Sequence, residues 1–179
     1  MADQEPTSGA NGSGDAGTEP AISILAQYIK DLSVENPSAP AVFQWQVQPN
    51  LEVQFNINVQ TLSEDVHEVA LKIEVTARSD NGVHFVVDLS YGGLFGLRNV
   101  PAEALQPFLL IEAPRLIFPF ARQIVAEAVS SSGFPPLLLD PIDFAGAYMA
   151  QLQAQQQQQS VEGGNGGGEP TPSETPSEA

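Results

Sequence analysis

Two stretches of alternating apolar and polar residues, the second interrupted only at Ala70, restrict this chain to folds built on a sheet with one solvated face. Residues 51–60, LEVQFNINVQ, carry an apolar side chain at every odd position and a polar one at every even position. Residues 69–77 repeat the pattern with the same parity. Because successive side chains of a strand point to opposite faces, both segments are predicted to be half-buried β-strands.

A third strand is predicted after the turn sequence SDNG, residues 79–82, with inward residues Val83, Phe85, Val87 and Leu89. Odd positions face inward on both strands, so a three-residue loop at 80–82 fits and a two-residue loop does not. The predicted facing pairs are Ala77 with Phe85, Val75 with Val87, Ile73 with Leu89, Thr76 with Val86, and Glu74 with Asp88. This register also places His84 outward, opposite Arg78.

The segment 22–35, ISILAQYIKDLSVE, fits two periods. Its apolar residues recur at helical spacing and also follow a strand alternation in part. The β-branched content and the gain from a fourth strand favour a strand. The segment 36–40, NPSAP, is then an irregular crossover, which continues with Phe43, Trp45 and Val47 in alternation.

The second half of the chain is predicted to be helical. One helix ends at Gly133 and has an apolar stripe of Leu116, Ile117, Phe120, Ala121, Ile124, Val125 and Ala128. A second opens with Asp140 as N-cap and Pro141 at the first helical position, with a stripe of Phe144, Ala145, Tyr148, Met149 and Leu152. A short helix is expected within 101–109. Strands followed by helices predict an α+β fold, a four-stranded antiparallel sheet with helices packed on one face.

Glycine, proline, serine and acidic residues dominate both ends of the chain. Residues 1–20 and 156–179 are therefore predicted to be disordered tails around one domain, residues 21–155. The formal net charge is -16, and 8 of the 22 acids lie in the tails, which leaves 14 acids against 6 bases in the domain. That balance argues against nucleic acids and anionic membranes as partners and favours a basic partner.

The ends of the chain and its cysteine content bear on location. No secretory signal and no apolar run near 20 residues occurs in the sequence, so we expect a cytoplasmic protein without membrane insertion. The absence of cysteine excludes disulfides and thiolate metal sites.

Motifs for catalysis or cofactor binding are weak. GSGDAG, residues 12–17, has dinucleotide-site spacing but lacks the flanking strand and helix that such a site requires. Glu64, Asp65, His67 and Glu68 could bind a divalent ion, although a solvated strand end is the favoured interpretation of His67. We therefore predict no cofactor, no metal, no catalytic residue and no enzymatic activity, and keep a small acidic enzyme or metal-binding protein that uses these four residues as the alternative.

The informative features are surfaces. Val86 is an apolar residue on the polar face beside Glu74 and Asp88, which is typical of a docking site for a basic, partly apolar partner. The alternative is an ordinary solvated face. Aromatic residues are also concentrated in the crossover and the helix connections, beyond what the core stripes require, so some are expected to line a groove. A purely structural oligomer remains a further alternative.

Several segments together resemble the SecB family of protein-export chaperones, in order and without large gaps from residue 22 to residue 155. The strongest are IFPFARQIVAEAV and GFPPLLLDPIDF, residues 117–129 and 133–144; KDLSVENPSAP, DVHEV and YGGLF support them. The resemblance implies a homotetramer, a dimer of dimers. It also implies that the protein holds precursor proteins unfolded in the cytoplasm and delivers them to the SecA motor.

The resemblance also implies two sets of site residues. The SecA-binding residues fall on Asp31, Glu35, Val86 and Asp88. The client-peptide groove falls on Phe43, Trp45, Val47, Phe134, Phe144 and Tyr148. The family often has tryptophan two places before the crossover proline, where this chain has Val47. Trp45 lies two residues earlier, and a shift of two keeps the same strand face, so we expect a groove wall of altered shape.

Overall fold

The computed structural model describes residues 19–162. Its elements are β1 (Ala21–Glu35), a 3-10 turn (Ala41–Gln44), β2 (Asn50–Ser63), β3 (Val66–Ser79), β4 (Gly82–Arg98), α1 (Ala102–Pro107), a π-helical turn (Phe108–Glu112), α2 (Ala113–Ser131) and α3 (Phe144–Glu162). The chain divides into two compact units, one ending at Ile142 and the other beginning at Asp143.

The four strands form one antiparallel sheet in the order β1-β4-β3-β2. The predicted α+β fold is confirmed, and the first segment is the predicted strand. All five predicted pairs between β3 and β4 occur, including Glu74 with Asp88 and Thr76 with Val86. The odd residues of β3, and those of β4 from Phe85 onward, form the inner face, which packs against α2, and the even residues of these stretches form the outer face.

The predicted loop between β3 and β4 is wrong in detail. Ser79 pairs with Gly82, so the connection has two residues, and the register shifts by one beyond Arg78, which pairs with Val83. The extra residue is His84, a β-bulge that restores the parity of the inner face. Consequently His84 is buried rather than outward, and Val83 takes the outward position opposite Arg78.

Strand β1 contains two further irregularities, which explain its mixed periodicity. Its pairing with β4 shifts between Ile24 and Ala26 and again between Ile29 and Asp31. Each shift exchanges the residues that face inward and outward. No single period therefore describes the strand, although its pairing with β4 is continuous.

The crossover after β1 is a helical turn rather than the predicted alternation. Ala41–Gln44 form one 3-10 turn in which Val42 is the buried residue. The turn is closed by bonds from the Phe43 N–H to the Pro40 carbonyl, 3.3 Å, and from the Trp45 N–H to the Val42 carbonyl, 3.1 Å. Because a 3-10 turn has three residues per turn, Phe43 points away from the core side that Val42 occupies.

Helix α2 packs on the inner face of the sheet and lies close to Gly93 of β4. A Cβ atom built on Gly93 would lie 2.8 Å from Ile117 Cγ2, so only glycine admits the helix at this distance. Ile117, Ala121 and Val125 are buried as predicted. Leu116 and Phe120 are exposed, contrary to the predicted stripe, because the side turned to the sheet instead includes Phe118, Ala126 and Val129.

Both predicted ends of α2 can be compared with the structure. The predicted short helix within 101–109 is α1, which continues through the π-helical turn into α2. At the other end, Gly133 has φ +89, and the Phe134 N–H bonds to the Val129 carbonyl. This is a Schellman ending, so Gly133 stops the helix as predicted.

The second unit begins with α3, whose cap differs from the prediction. Asp143 rather than Asp140 is the cap, because its Oδ1 accepts a bond from the Gly146 N–H at 2.9 Å. The helix continues to Glu162, so residues 156–162 are helical where a tail was predicted. Residues 1–18 and 163–179 of the predicted tails, and with them GSGDAG, lie outside the described residues. Within residues 19–162, no helix combines the length and apolar character needed to cross a membrane.

Candidate partner-binding surfaces

The register of β1 against β4 assembles the four predicted SecA-binding residues on the outer face. Glu35 lies opposite Val86, and Ser33 lies opposite Asp88, so Asp88 is flanked along β1 by Asp31 and Glu35. We call Asp31, Glu35, Val86 and Asp88 the acidic patch. Its three carboxylates surround one apolar side chain, an arrangement that suits a basic partner with an apolar contact residue.

The neighbouring strand β3 adds charge to the acidic patch. Glu74 lies opposite Asp88, and Lys72 Nζ lies 2.7 Å from Glu74 Oε1 and 3.2 Å from Asp88 Oδ2. These two carboxylates raise the pKa of Lys72, Glu74 more than Asp88. One positive charge lies between two negative charges, so this part of the surface keeps a net negative charge.

A shallow depression of about 170 Å³ adjoins the acidic patch, lined by Glu52, Gln54, Glu74, Thr76, Val86, Val87 and Asp88. Sequence reasoning missed Glu52, which brings a further carboxylate to this surface. The signal was available, because the pairing of β2 with β3 places Glu52 opposite Thr76, and Thr76 opposite Val86 was predicted.

Four rings and a buried imidazole join the crossover to the connection after α2. Ring centroids are separated by 5.6 Å for Phe43 and Phe134, 5.0 Å for Phe85 and Phe134, and 5.0 Å for Trp45 and His84. We call Phe43, Trp45, His84, Phe85 and Phe134 the aromatic cluster. The sequence did not predict that His84 belongs to this cluster, because the bulge in β4 turns its side chain to the inner face.

Within the aromatic cluster, the side chains have different accessibility. Phe43 is 54% exposed although it packs on Phe134, and the nearby Val47 is 43% exposed. Trp45 is half-buried, edge-on to His84, whose Nε2 is hydrogen-bonded to Ser79 Oγ at 2.8 Å. Four of the predicted groove residues, Phe43, Trp45, Val47 and Phe134, therefore lie on two adjoining segments. Ring packing beneath Phe43 holds an apolar surface open at this place.

The remaining two predicted groove residues lie on α3, in the second unit. Phe144 is the first residue of that helix and Tyr148 follows one turn later. Their part in a groove stays a prediction.

The alternative metal site is not supported by the geometry. Within the described part of the chain, no group of three or more His, Asp or Glu side chains is placed to hold a metal ion. His67 is buried, not solvated as predicted, and its Nδ1 is hydrogen-bonded to Thr61 Oγ1 at 3.1 Å. Glu68 points to the outer face and is bonded to Tyr28 and Lys30.

An antiparallel sheet with a charged outer face, a helix on its inner face and exposed apolar residues in the crossover defines an α+β protein of the chaperone class, which presents surfaces to other polypeptides. The family model described as preprotein translocase subunit SecB matches residues 15–156. The chain belongs to the SecB family of protein-export chaperones.

Individual relatives agree with this assignment. The protein-export protein SecB of Zymomonas mobilis is 59% identical over 143 residues, which cover 80% of this chain and 87% of that protein. That of Azorhizobium caulinodans is 51% identical over 146 residues, 81% of this chain and 91% of that protein. The SecB-like chaperone Rv1957 of Mycobacterium tuberculosis, solved with a ChAD peptide from the antitoxin HigA1, shares the fold with TM-score 0.56 and 15% identity, covering 68% of this chain and 90% of that one.

Proposed function

We propose that this protein holds unfolded precursor proteins in the cytoplasm and delivers them to the SecA motor, and that it transforms no substrate. The observation that supports SecA docking most is the pairing of Glu35 with Val86, which gathers the acidic patch from strands far apart in sequence. Opposite potentials speed encounter with a basic partner, and Val86 offers an apolar contact at the centre.

Client holding is assigned to the surface above the aromatic cluster. An unfolded segment that covers Phe43 and Val47 gains roughly 25 cal/mol per Å² of apolar area removed from water. Phe134 and Phe85 support Phe43 from below, so the binding surface is formed before the client arrives and less ordering entropy is lost. Such contacts are independent of client sequence, as a holding function requires.

We further propose a homotetramer, a dimer of dimers, on the basis of two uncovered apolar surfaces. Strand β1 is an edge of the sheet and exposes a row of apolar side chains, Ile22, Ile24, Leu25, Ile29, Leu32 and Val34. Helix α2 exposes Leu116 and Phe120. An exposed apolar edge strand is a site of association, and patches of this kind mark protein interfaces. Several copies also multiply the client surfaces and give avidity.

Four measurements test this function, the assembly and the location. The purified full chain should slow the refolding of a slow-folding precursor when present in stoichiometric amounts, and it should form a complex with purified SecA in calorimetry. Sedimentation should give four times the chain mass, and cell fractionation should recover the protein in the cytoplasm. A chain that neither slows refolding nor binds SecA would contradict the proposal.

A further inference from the structure

We propose that Tyr28, Lys30 and Glu68 form a clamp across the outer face, which positions the β1 half of the acidic patch. The inference rests on the proposed SecA docking and adds three positioning residues to it. None of the three belongs to the acidic patch.

The clamp is a polar cluster with an almost enclosed carboxylate. The Tyr28 hydroxyl donates a hydrogen bond to Glu68 Oε1, and Lys30 Nζ lies 2.7 Å from Glu68 Oε2. The Glu68 side chain is only 10% exposed, although it points to the polar face of the sheet. The bonds from Lys30 and Tyr28 lower the pKa of Glu68, and the bond to Glu68 raises the pKa of Tyr28 to about 12.

Gly92 permits the clamp to pass over β4, which lies between β1 and β3. A Cβ atom on Gly92 would lie 2.9 Å from Tyr28 Cε2 and 3.3 Å from Lys30 Cγ. The lack of a side chain at this position lets two residues of β1 lie across β4 and reach a residue of β3. The glycine pair of YGGLF therefore has two uses, Gly92 for the clamp and Gly93 for α2.

The clamp acts at the residue that sets which face Asp31 and Glu35 occupy. Ile29 pairs with Tyr91 and Asp31 pairs with Ser90, so Lys30 is the additional residue of a β-bulge. Without that residue out of register, the alternation would turn Asp31 and Glu35 to the inner face. Glu68 holds the Lys30 side chain on the outer face and so fixes the position of the bulge.

The test compares Lys30→Met and Glu68→Gln with the charge-exchanged pair K30E/E68K. Each single variant should bind purified SecA about fivefold more weakly, with unchanged inhibition of precursor refolding, because only the β1 side of the acidic patch loses its position. The exchanged pair should recover most of the affinity. Amide hydrogen exchange should accelerate at residues 31–34 in the single variants and not in the exchanged pair.

Thr61→Val is the matched control for loss of stability. It removes the hydrogen bond to His67, the residue next to Glu68 on the opposite face, and should leave SecA affinity unchanged. Wild-type SecA affinity in Lys30→Met and Glu68→Gln, beside weak binding by Asp88→Lys, would overturn the clamp and leave the docking function intact. If Asp88→Lys also bound normally, the docking function would be wrong and the clamp would fall with it.

Discussion

Glu74 and Asp88 face each other across β3 and β4, and the ammonium group of Lys72 bridges them at 2.7 Å and 3.2 Å. Two carboxylates opposite each other on a sheet are destabilising unless a cation lies between them. Lys72 supplies only one positive charge, so the pair keeps a net negative charge. The pair therefore offers a basic partner a charge that the sheet itself only partly neutralises.

Charge reversal at this pair should separate the two binding activities. Asp88→Lys should weaken SecA binding about tenfold, because it replaces an attractive charge by a repulsive one within the acidic patch. Inhibition of precursor refolding should be unchanged. Glu103→Lys makes the same charge change on the exposed start of α1 and should leave both activities intact. Parallel loss of both activities in Asp88→Lys would show that the two surfaces are not separate.

Removal of the exposed ring of the crossover should weaken client binding. Phe43→Ser should reduce affinity for an unfolded precursor about fivefold, since the ring offers apolar area that a client covers. Leu62→Ser is a matched control, because Leu62 is equally exposed at 54% but lies at the far end of β2. Equal effects of the two variants would contradict a groove at the crossover. Emission from Trp45, the single tryptophan, should shift on client binding in the wild type.

Association through α2 should depend on Phe120. Phe120 is half exposed in the single chain and would be buried if α2 formed part of an interface. Phe120→Glu would then bury an unpaired charge, which destabilises the association. If the proposed tetramer forms through this helix, sedimentation should show a smaller assembly for the variant than for the wild type at the same concentration. Phe120→Leu, which keeps the position apolar, should retain the full mass. A tetramer in both variants would exclude this part of α2 from the interface.

Contact between α2 and the sheet should be sensitive to one methyl group at Gly93. Gly93→Ala should lower the free energy of unfolding by about 1 to 3 kcal/mol, since the added Cβ would lie 2.8 Å from Ile117 Cγ2. Ile117→Ala removes that methyl group, so the double variant should lose less than the two single losses together in urea unfolding. Simple additivity would mean that the two residues do not press on each other.

Acid stability should report on Glu68. Because Lys30 and Tyr28 hold its pKa below the ordinary 4.5, its contribution to stability is present above that pH and is lost as pH falls through the lower folded pKa. Glu68→Gln should therefore show a flatter decline in the free energy of unfolding below about pH 4.5 than the wild type. Urea titrations at a series of acidic pH values measure both curves. Parallel curves would mean that the carboxylate is not held by these partners.

Alternation in the sequence predicted the parity of most of the sheet, and the apolar face of β3 and β4 is buried as expected. The apolar face of β2 is not half-buried as predicted, because Leu51, Val53 and Phe55 are 46%, 42% and 42% exposed. The alternation also predicted the pair of Glu74 and Asp88 directly. The bulges at His84 and Lys30 were not predicted, since an additional residue can be placed at many points along a strand. Each bulged residue makes a contact with a residue distant in sequence, which the local pattern does not reveal: Trp45 packs on His84, and Lys30 donates a hydrogen bond to Glu68.

The positions of the helices along the chain were predicted, but the first residue of α3 and the buried face of α2 were predicted less accurately. Asp140 and Asp143 both precede an apolar stripe, and only the bond from the Gly146 N–H selects Asp143 as the cap. Leu116 and Phe120 belong to the apolar stripe in the sequence, but they lie on a side of α2 that the sheet does not contact and are exposed. The residues of the acidic patch came from the family resemblance and, for Val86 and Asp88, from the register as well. Their roles and the roles of the groove residues stay predictions.

The aromatic cluster and the acidic patch meet at successive positions of β4. Phe85 supports Phe134 on one side of the sheet, and Val86 lies opposite Glu35 on the other. Because His84 is already taken up as a β-bulge, the two surfaces keep their faces only while each additional residue of β4 bulges out of the ladder. Either surface can thus be altered by replacing residues, whereas a change of length in this strand that no bulge absorbs would disturb both proposed binding surfaces at once.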